Sequence, residues 1–397
     1  MSLERGLREV LVGAGHWKNR MRLLVIMATH SPWSQSVAAS LTALGHEVHV
    51  VDMEKGSRRG LVNASIAGIR DDFNRFQGRV AGVHFLTTPV SGNLRYLLAA
   101  PQLRLLSRRL GVDMALALYG GGFGLLAYLS GIRPYCVYVV GSDVFLATAV
   151  ARRISRRVFK AAAQVFANGK YLAERSREWA PGARVTELLI GVDTKQFTPA
   201  DFSRRPVQII CTRGFEPVYN SGAIVRALAR LPVGLPEYRM VFTSARNLGL
   251  SGAPALAERH LAPAVRARVE FYGGVPYAAI LQALSHSHIF VSMSRSDGTA
   301  TSLLEALGTG LFPVLSDIPQ NREWIDRGVG NGRLVPLDDD VALARALADC
   351  ITHVDRLAAY SEGNRRLVFD RADAERTRLA LSVALEEDHV THLRRRA

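Results

Sequence analysis

Two acidic side chains with seven residues between them, Asp297 and Glu305, bracket a run of small residues, Gly298-Thr-Ala-Thr-Ser302. The preceding stretch, His288-Ile-Phe-Val-Ser292, is apolar and reads as a buried strand. A helix is expected to start near Thr301 and to stop at the Gly308/Gly310 pair, with Leu311-Phe-Pro-Val-Leu315 as the next strand. In an open parallel sheet, the loop of such a unit lies at the ligand-binding edge. The N–H groups of Gly298, Thr299, Ala300, Thr301 and Ser302 would leave the helix start without internal partners, and their partial positive charge suits a phosphate. A phosphate cradle between two carboxylates fits a ligand with a diphosphate centre and hydroxylated rings at both ends, the description of a nucleotide sugar. Spacing alone leaves a second reading equally open. Ser302-Leu-Leu-Glu305 also fits the S/T-x-x-E capping box, in which Glu305 only ties back to the backbone.

The elements that would position these groups recur along the chain. Its 397 residues, 48% hydrophobic and 21% charged, suffice for two globular domains with sizeable cores. A strand over Arg22–His30, a loop at 31–36, a helix through Leu44 and a strand over Gly45–Asp52 open the chain as βαβ. Strands near 80–85, 113–118, 135–140 and 164–167 then alternate with helices near 93–109, 122–130, 145–162 and 169–178, while 54–80 stays unassigned. Such alternation implies a parallel sheet covered on both faces. Further strands are expected near 207–211, 238–243 and 268–272, and helices near 338–352, 356–368 and 371–390. The uncharged run from Met114 to Ile132 has a membrane-spanning length, but Gly120, Gly121, Gly122 and Gly124 interrupt it, so strand, glycine loop and helix is the better reading.

Three scattered cysteines, Cys136, Cys211 and Cys350, lack ligand-like spacing, which argues against a disulfide framework or a zinc site and for a reducing, cytoplasmic setting. The start, Met1-Ser-Leu-Glu-Arg-Gly-Leu-Arg-Glu9, lacks the apolar centre of a signal peptide. The net charge of +15 is uneven: residues 1–200 hold 26 Lys/Arg against 13 Asp/Glu, and residues 201–397 hold 24 against 22. A basic first half implies an anionic partner there: lipid headgroups, a charged glycan or nucleic acid. Arg152, Arg156 and Lys160 repeat at helical spacing beside Arg153 and Arg157, equally consistent with a binding face and with an ordinary solvated one. The loop after the first strand lacks G-x-G-x-x-G, so nothing supports a dinucleotide-dependent oxidoreductase. His30 there is either a contact group or a plain loop residue. Tyr119-Gly-Gly-Gly-Phe-Gly124 allows close approach to a ligand but also tight helix–strand packing.

Asp297, Glu305, Ala306, Gly310 and, one position late, Pro313-Val314 resemble the signature of the retaining glycosyltransferases of family 4. Asp297 stands where that family usually has glutamate. The resemblance implies the GT-B fold, two Rossmann-like parallel-sheet domains facing each other across a cleft. It extends to Leu189-Ile-Gly-Val-Asp-Thr-Lys-Gln-Phe-Thr-Pro199, similar to the family's hinge, with Leu189 and Ile190 replacing a Pro-Asn pair. The expected domains are then 1–190, binding the acceptor, 191–370, binding the nucleotide sugar, and 371–397, a terminal helix crossing back to the first. Val140-Gly-Ser-Asp143 is similar to the family's His-Gly-Ser-Asp, but Val140 has no group to donate a proton or bind a sugar. Arg213, at the end of the strand Val207–Cys211, matches a diphosphate-binding arginine; the lysine that usually follows is replaced by Glu216-Pro-Val-Tyr-Asn220.

The resemblance thus implies a metal-independent, retaining hexosyltransferase without a cofactor, serving polysaccharide or glycoconjugate synthesis in the cytoplasm or on the inner membrane face. Asp297, Arg213 and Asp143 are the expected catalytic group. Glu305, Gly298, Thr299, Ala300, Thr301, Ser302, Asn220, Gly273 and Gly274 would bind a UDP- or GDP-sugar, with Glu305 accepting from the ribose diol and Asp297 holding a hexose hydroxyl. Gly121, Gly122 and Ser142 would meet a glycan or lipid-linked acceptor, and the basic first half an anionic membrane surface; no nucleic acid is expected, since no basic-aromatic recognition motif is present. The alternatives are a sugar-nucleotide epimerase of the same fold and a non-enzymatic binder of anionic ligands.

Overall fold

A computed structural model of the chain describes residues 20–53, 76–90, 92–145, 147–244 and 250–395. The basic lead before Arg20, most of the unassigned 54–80 stretch and Arg396 lie outside the described residues. By internal contacts the chain divides into two compact units, Met1–Ile190 with Glu375–Ala397, and Gly191–Ala374.

In the first unit, β1 (Arg22–Ile26), β2 (Glu47–Met53), β3 (Gly82–Leu86), β4 (Met114–Leu118), β5 (Tyr135–Val139), β6 (Gln164–Ala167) and β7 (Val185–Glu187) form one sheet in the order β3-β2-β1-β4-β5-β6-β7. Every pairing in it is parallel. Successive residues of β1 go to opposite faces: Leu24 and Ile26 join one core, Leu23 and Val25 the other. Both faces are covered, which is why β1, β4 and β5 are solid apolar runs and not alternating ones. The helices Leu94–Leu110, Gly122–Ser130 and Ala149–Ala161 supply the first core. Pro32–Ala43 and the terminal helix Ala374–Arg394 supply the second, the latter burying Ala380, Leu381, Ala384 and Leu385. His46 Nε2 and Ser382 Oγ, 2.7 Å apart, pin that helix to the sheet. The single helix expected over 145–162 is two: Ser142–Phe145, and Ala149–Ala161, whose start is capped by Thr148 Oγ1 accepting from Ala151 N at 3.2 Å.

The second unit holds β8 (Val207–Cys211), β9 (Tyr238–Ser244), β10 (Val269–Gly273), β11 (Ile289–Ser292), β12 (Phe312–Ser316) and β13 (Arg333–Val335) in the order β10-β9-β8-β11-β12-β13, again all parallel. The two sheets put this chain in the α/β class of GT-B proteins, with two Rossmann-like units. In each sheet the strand order reverses at one point, between β1 and β4 in the first and between β8 and β11 in the second. Crevices open at the carboxyl ends of strands at such switch points. Among the described residues no helix is long and apolar enough to cross a membrane.

Candidate functional site

The switch point of the second sheet collects most of the residues singled out from the sequence. β8 ends at Cys211 and delivers Arg213; β11 ends at Ser292 and delivers Asp297 and the helix start after it. The β8 loop is closed by Ser221 Oγ donating to the Gly214 carbonyl at 2.7 Å, and tied to the β11 loop by Arg295 N donating to the Val218 carbonyl at 2.8 Å. Within this frame the Arg213 guanidinium pairs with Asp297, donates to Ser302 Oγ at 3.3 Å and lies over the Tyr219 ring at 4.0 Å. Arg213 Nε and Asn220 Nδ2 are buried with no hydrogen-bond partner among the described residues. Asn220 takes left-handed backbone, φ 51°, to turn the chain into the helix Ser221–Leu228.

The signature helix runs from Thr301 to Thr309. Its N-cap is Ala300, which has no side-chain acceptor, so among the described residues the first-turn amides of Thr301 and Ser302 have no side-chain cap beside the guanidinium. Gly298, Thr299 and Ser302 are buried in the approach to it. The capping-box reading of Ser302 and Glu305 is thereby corrected. Glu305 lies in the second turn, not the first, and its Oε1 accepts a hydrogen bond from Tyr277 Oη at 2.9 Å. Tyr277 opens the helix that follows the Gly273-Gly274 turn at the end of β10. Gly274 has φ 68°, a conformation for which glycine is the unstrained choice. At its far end the signature helix packs against the Asp193–Phe197 segment: a Cβ on Gly308 would fall 2.5 Å from the Phe197 ring.

The electrostatics follow from this packing. Burial pushes the Asp297 carboxyl above the usual range, while the Arg213 charge and the Gly298 amide pull it back. Glu305 keeps part of its surface, yet the protein around its carboxyl desolvates it and pushes it up to about 7, against the Tyr277 hydrogen bond and the Arg213 charge. Desolvation, and then Glu305 itself, raises the Tyr277 hydroxyl. An uncapped helix start, a guanidinium with an unused N–H and a carboxylate near its titration point together suit an anion attached to a diol.

The other predicted residues form a separate cluster in the first unit. Asp143 is buried, and its carboxylate accepts from Gly120 N at 2.7 Å, Gly141 N at 2.9 Å and Val140 N at 3.1 Å. These bonds engage it in clamping the loops after β4 and β5. Burial pushes its carboxyl up and the three amides pull it down. The glycine run is largely a matter of packing: a Cβ on Gly122 would meet Tyr96 Oη at 2.1 Å, and one on Gly120 would meet Val139 at 2.8 Å. Gly121 faces only ordinary contacts with Tyr119. Exposed Ser142 is bonded at 3.0 Å to Tyr119 Oη, whose backbone holds φ 113°, a strained value for tyrosine. Sequence reasoning missed Tyr119, Tyr219 and Tyr277 as site residues. No spacing rule marks an aromatic at a loop end, although Tyr219 lies inside the segment that replaces the expected lysine.

Comparison with known proteins bears on the fold. Residues 224–353 match the family model described as glycosyl transferases group 1. No curated protein matches in sequence. Among solved structures, the sucrose-phosphate synthase of Thermosynechococcus elongatus aligns over 93% of this chain and 99% of its own, at 13% identity and a TM-score of 0.76. Anabaena HepE in complex with UDP-glucose covers 93% of this chain and 100% of its own, at 15% identity and 0.72. The lipopolysaccharide outer core galactosyltransferase WaaB, in its apo form, covers 92% and 100%, at 13% identity and 0.64. Residues 224–353 are therefore similar to the group 1 glycosyl transferases, on a chain whose two parallel-sheet units have the GT-B fold.

Proposed function

We propose that the protein is a retaining glycosyltransferase that takes a sugar from a UDP- or GDP-sugar and passes it to a glycan or lipid-linked acceptor, in cell-surface polysaccharide or glycoconjugate synthesis at the cytoplasmic face of a membrane. The observation that carries this reading is the uncapped start of Thr301–Thr309 lying beside Arg213 at the switch point. The diphosphate would rest on the amides from Gly298 to Ser302 and take the unused N–H of Arg213. Glu305, once ionised, accepts from both hydroxyls of the ribose, which displaces the Tyr277 hydroxyl onto the sugar ring. Asp297 shares Arg213 with the phosphates and holds a hydroxyl of the transferred hexose.

As the anomeric carbon–oxygen bond breaks, the electron pair leaves with the diphosphate, and the amides and Arg213 stabilise the charge that develops there. The acceptor hydroxyl adds on the same face, and its proton passes to the departing phosphate oxygen, so no enzyme nucleophile is required. Gly121, Gly122 and Ser142 would meet the acceptor, on the loop that Asp143 holds.

Calorimetric titration of a panel of nucleotide sugars, with UDP-glucose first in view of the HepE complex, tests the donor assignment. Glu305→Ala is expected to weaken binding by about 2 kcal/mol, roughly thirtyfold. Unchanged affinity in a folded variant would remove Glu305 from the site. Turnover of donor to an isomer with no acceptor present would favour the epimerase.

A further inference from the structure

The helix Leu94–Leu110 is apolar on two sides. Tyr96, Ala99, Ala100 and Leu103 face the core, as any helix on a sheet requires. On its outer side Leu94 is 53% exposed, Leu97 54%, Leu98 41% and Leu105 49%, with Pro101 exposed between them. These positions recur at i, i+3/i+4, i+7 and i+11, so they make one ridge about 16 Å long. Arg104, Arg108 and Arg109 stand exposed beside it on the same helix. The helix Gly122–Ser130 packs alongside and adds Leu129, and Ala149–Ala161 packs next to that. The latter brings exposed Val150 and a row of exposed cations, Arg152, Arg153, Arg156, Arg157 and Lys160.

These cations have little to pair with. From residue 73 to residue 173 the only acids in the chain are Asp113 and Asp143. Asp113 accepts from the Arg22 amide and Asp143 is enclosed by its three loop amides. Two ion pairs among the described residues further along, Arg175–Glu178 and Arg184–Asp388, use other residues. A leucine ridge among arginines that have no acidic partner among the described residues is the composition of a helix that lies in the plane of a lipid interface. A second copy of the chain would bring the same charge against itself, whereas an anionic bilayer neutralises the arginines and takes up the leucines.

We propose that the outer face of Leu94–Leu110, flanked by the basic side of Ala149–Ala161, docks on a bilayer containing anionic phospholipid. This gives a surface to the membrane setting proposed above, yet it uses only residues of the first unit and stands or falls separately from donor binding.

The test is co-sedimentation of the full chain with vesicles of phosphatidylcholine alone or with about 30% phosphatidylglycerol. The chain should partition onto the anionic vesicles only, and less at high salt. The variant carrying Leu94→Ser, Leu97→Ser, Leu98→Ser and Leu105→Ser should lose roughly a hundredfold in partitioning. The variant carrying Arg152→Gln, Arg153→Gln, Arg156→Gln and Arg157→Gln should lose about fivefold per cation removed. Both should keep the native thermal midpoint and any nucleotide-sugar-induced shift. Wild-type chain that ignores anionic vesicles, binds neutral ones equally, or binds unchanged in the folded leucine variant overturns the proposal. So does a dimer in sedimentation velocity that the leucine substitutions dissolve, because a second copy is then the occupant. Should the leucine variant fail to fold, the arginine variant decides: unchanged partitioning in it also overturns the proposal.

Discussion

Replacing Glu305 by glutamine keeps the shape and the acceptor for Tyr277 while removing the charge. In the folded chain burial raises the Glu305 carboxyl from its ordinary 4.5 to about 7. A folded-state value above the unfolded one means that the protonated form stabilises the fold. That contribution is complete below the unfolded value of 4.5 and is lost as pH rises to the folded value of about 7. The rise is worth about 3 to 4 kcal/mol at most, at about 1.4 kcal/mol per pH unit, and about 2 after allowing for the surface the residue keeps. Urea unfolding at a series of pH values should show the wild type losing that amount against Glu305→Gln between pH 4.5 and 7, with the curves parallel above. Donor affinity should move the other way, because the ribose needs the ionised carboxylate. A nucleotide sugar has no phosphate that titrates near neutrality, so its affinity should rise about tenfold from roughly pH 6 to pH 8, and the glutamine variant should be flat. Unfolding curves that stay parallel throughout would refute the burial of this carboxyl. A flat affinity in the wild type would refute its role toward the diol.

The Arg213–Asp297 pair is nearly enclosed, with side-chain exposures of 12% and 21%. Arg213→Ala alone should cost about 3 kcal/mol in chemical denaturation by stranding Asp297, and adding Asp297→Asn should recover part of it. Asp143→Ala should lower stability by about 3 kcal/mol, since it orphans three loop amides, two of them buried, and Asp143→Asn by less; thermal unfolding distinguishes them. A small, equal effect of both would mean that the clamp is unimportant.

The fold class was legible because parallel strands buried on both faces announce themselves as unbroken apolar runs between helical segments. Most element positions followed, including Thr301 as the start of the signature helix. The split at Phe145/Thr148 was missed because the arginine repeat masks the helix boundary. At the site, Arg213 and Asp297 were readable as types, and their contact was not, since it depends on β8 and β11 being neighbours despite β9 and β10 between them in sequence. The role of Glu305 was undecidable from spacing: a capping box and a free carboxylate have the same letters, and only the reach of Tyr277 across from another helix separates them. For Asp143 the motif match says nothing of how many amides already hold the carboxylate.

The first unit is discontinuous in sequence, and part of its second core, Leu381 and Leu385 included, comes from the terminal helix. That side of the sheet therefore stays only partly covered until residues 380–385 have been made. A chain truncated before that point would display a sticky, half-covered amino-side unit, a natural client for a chaperone.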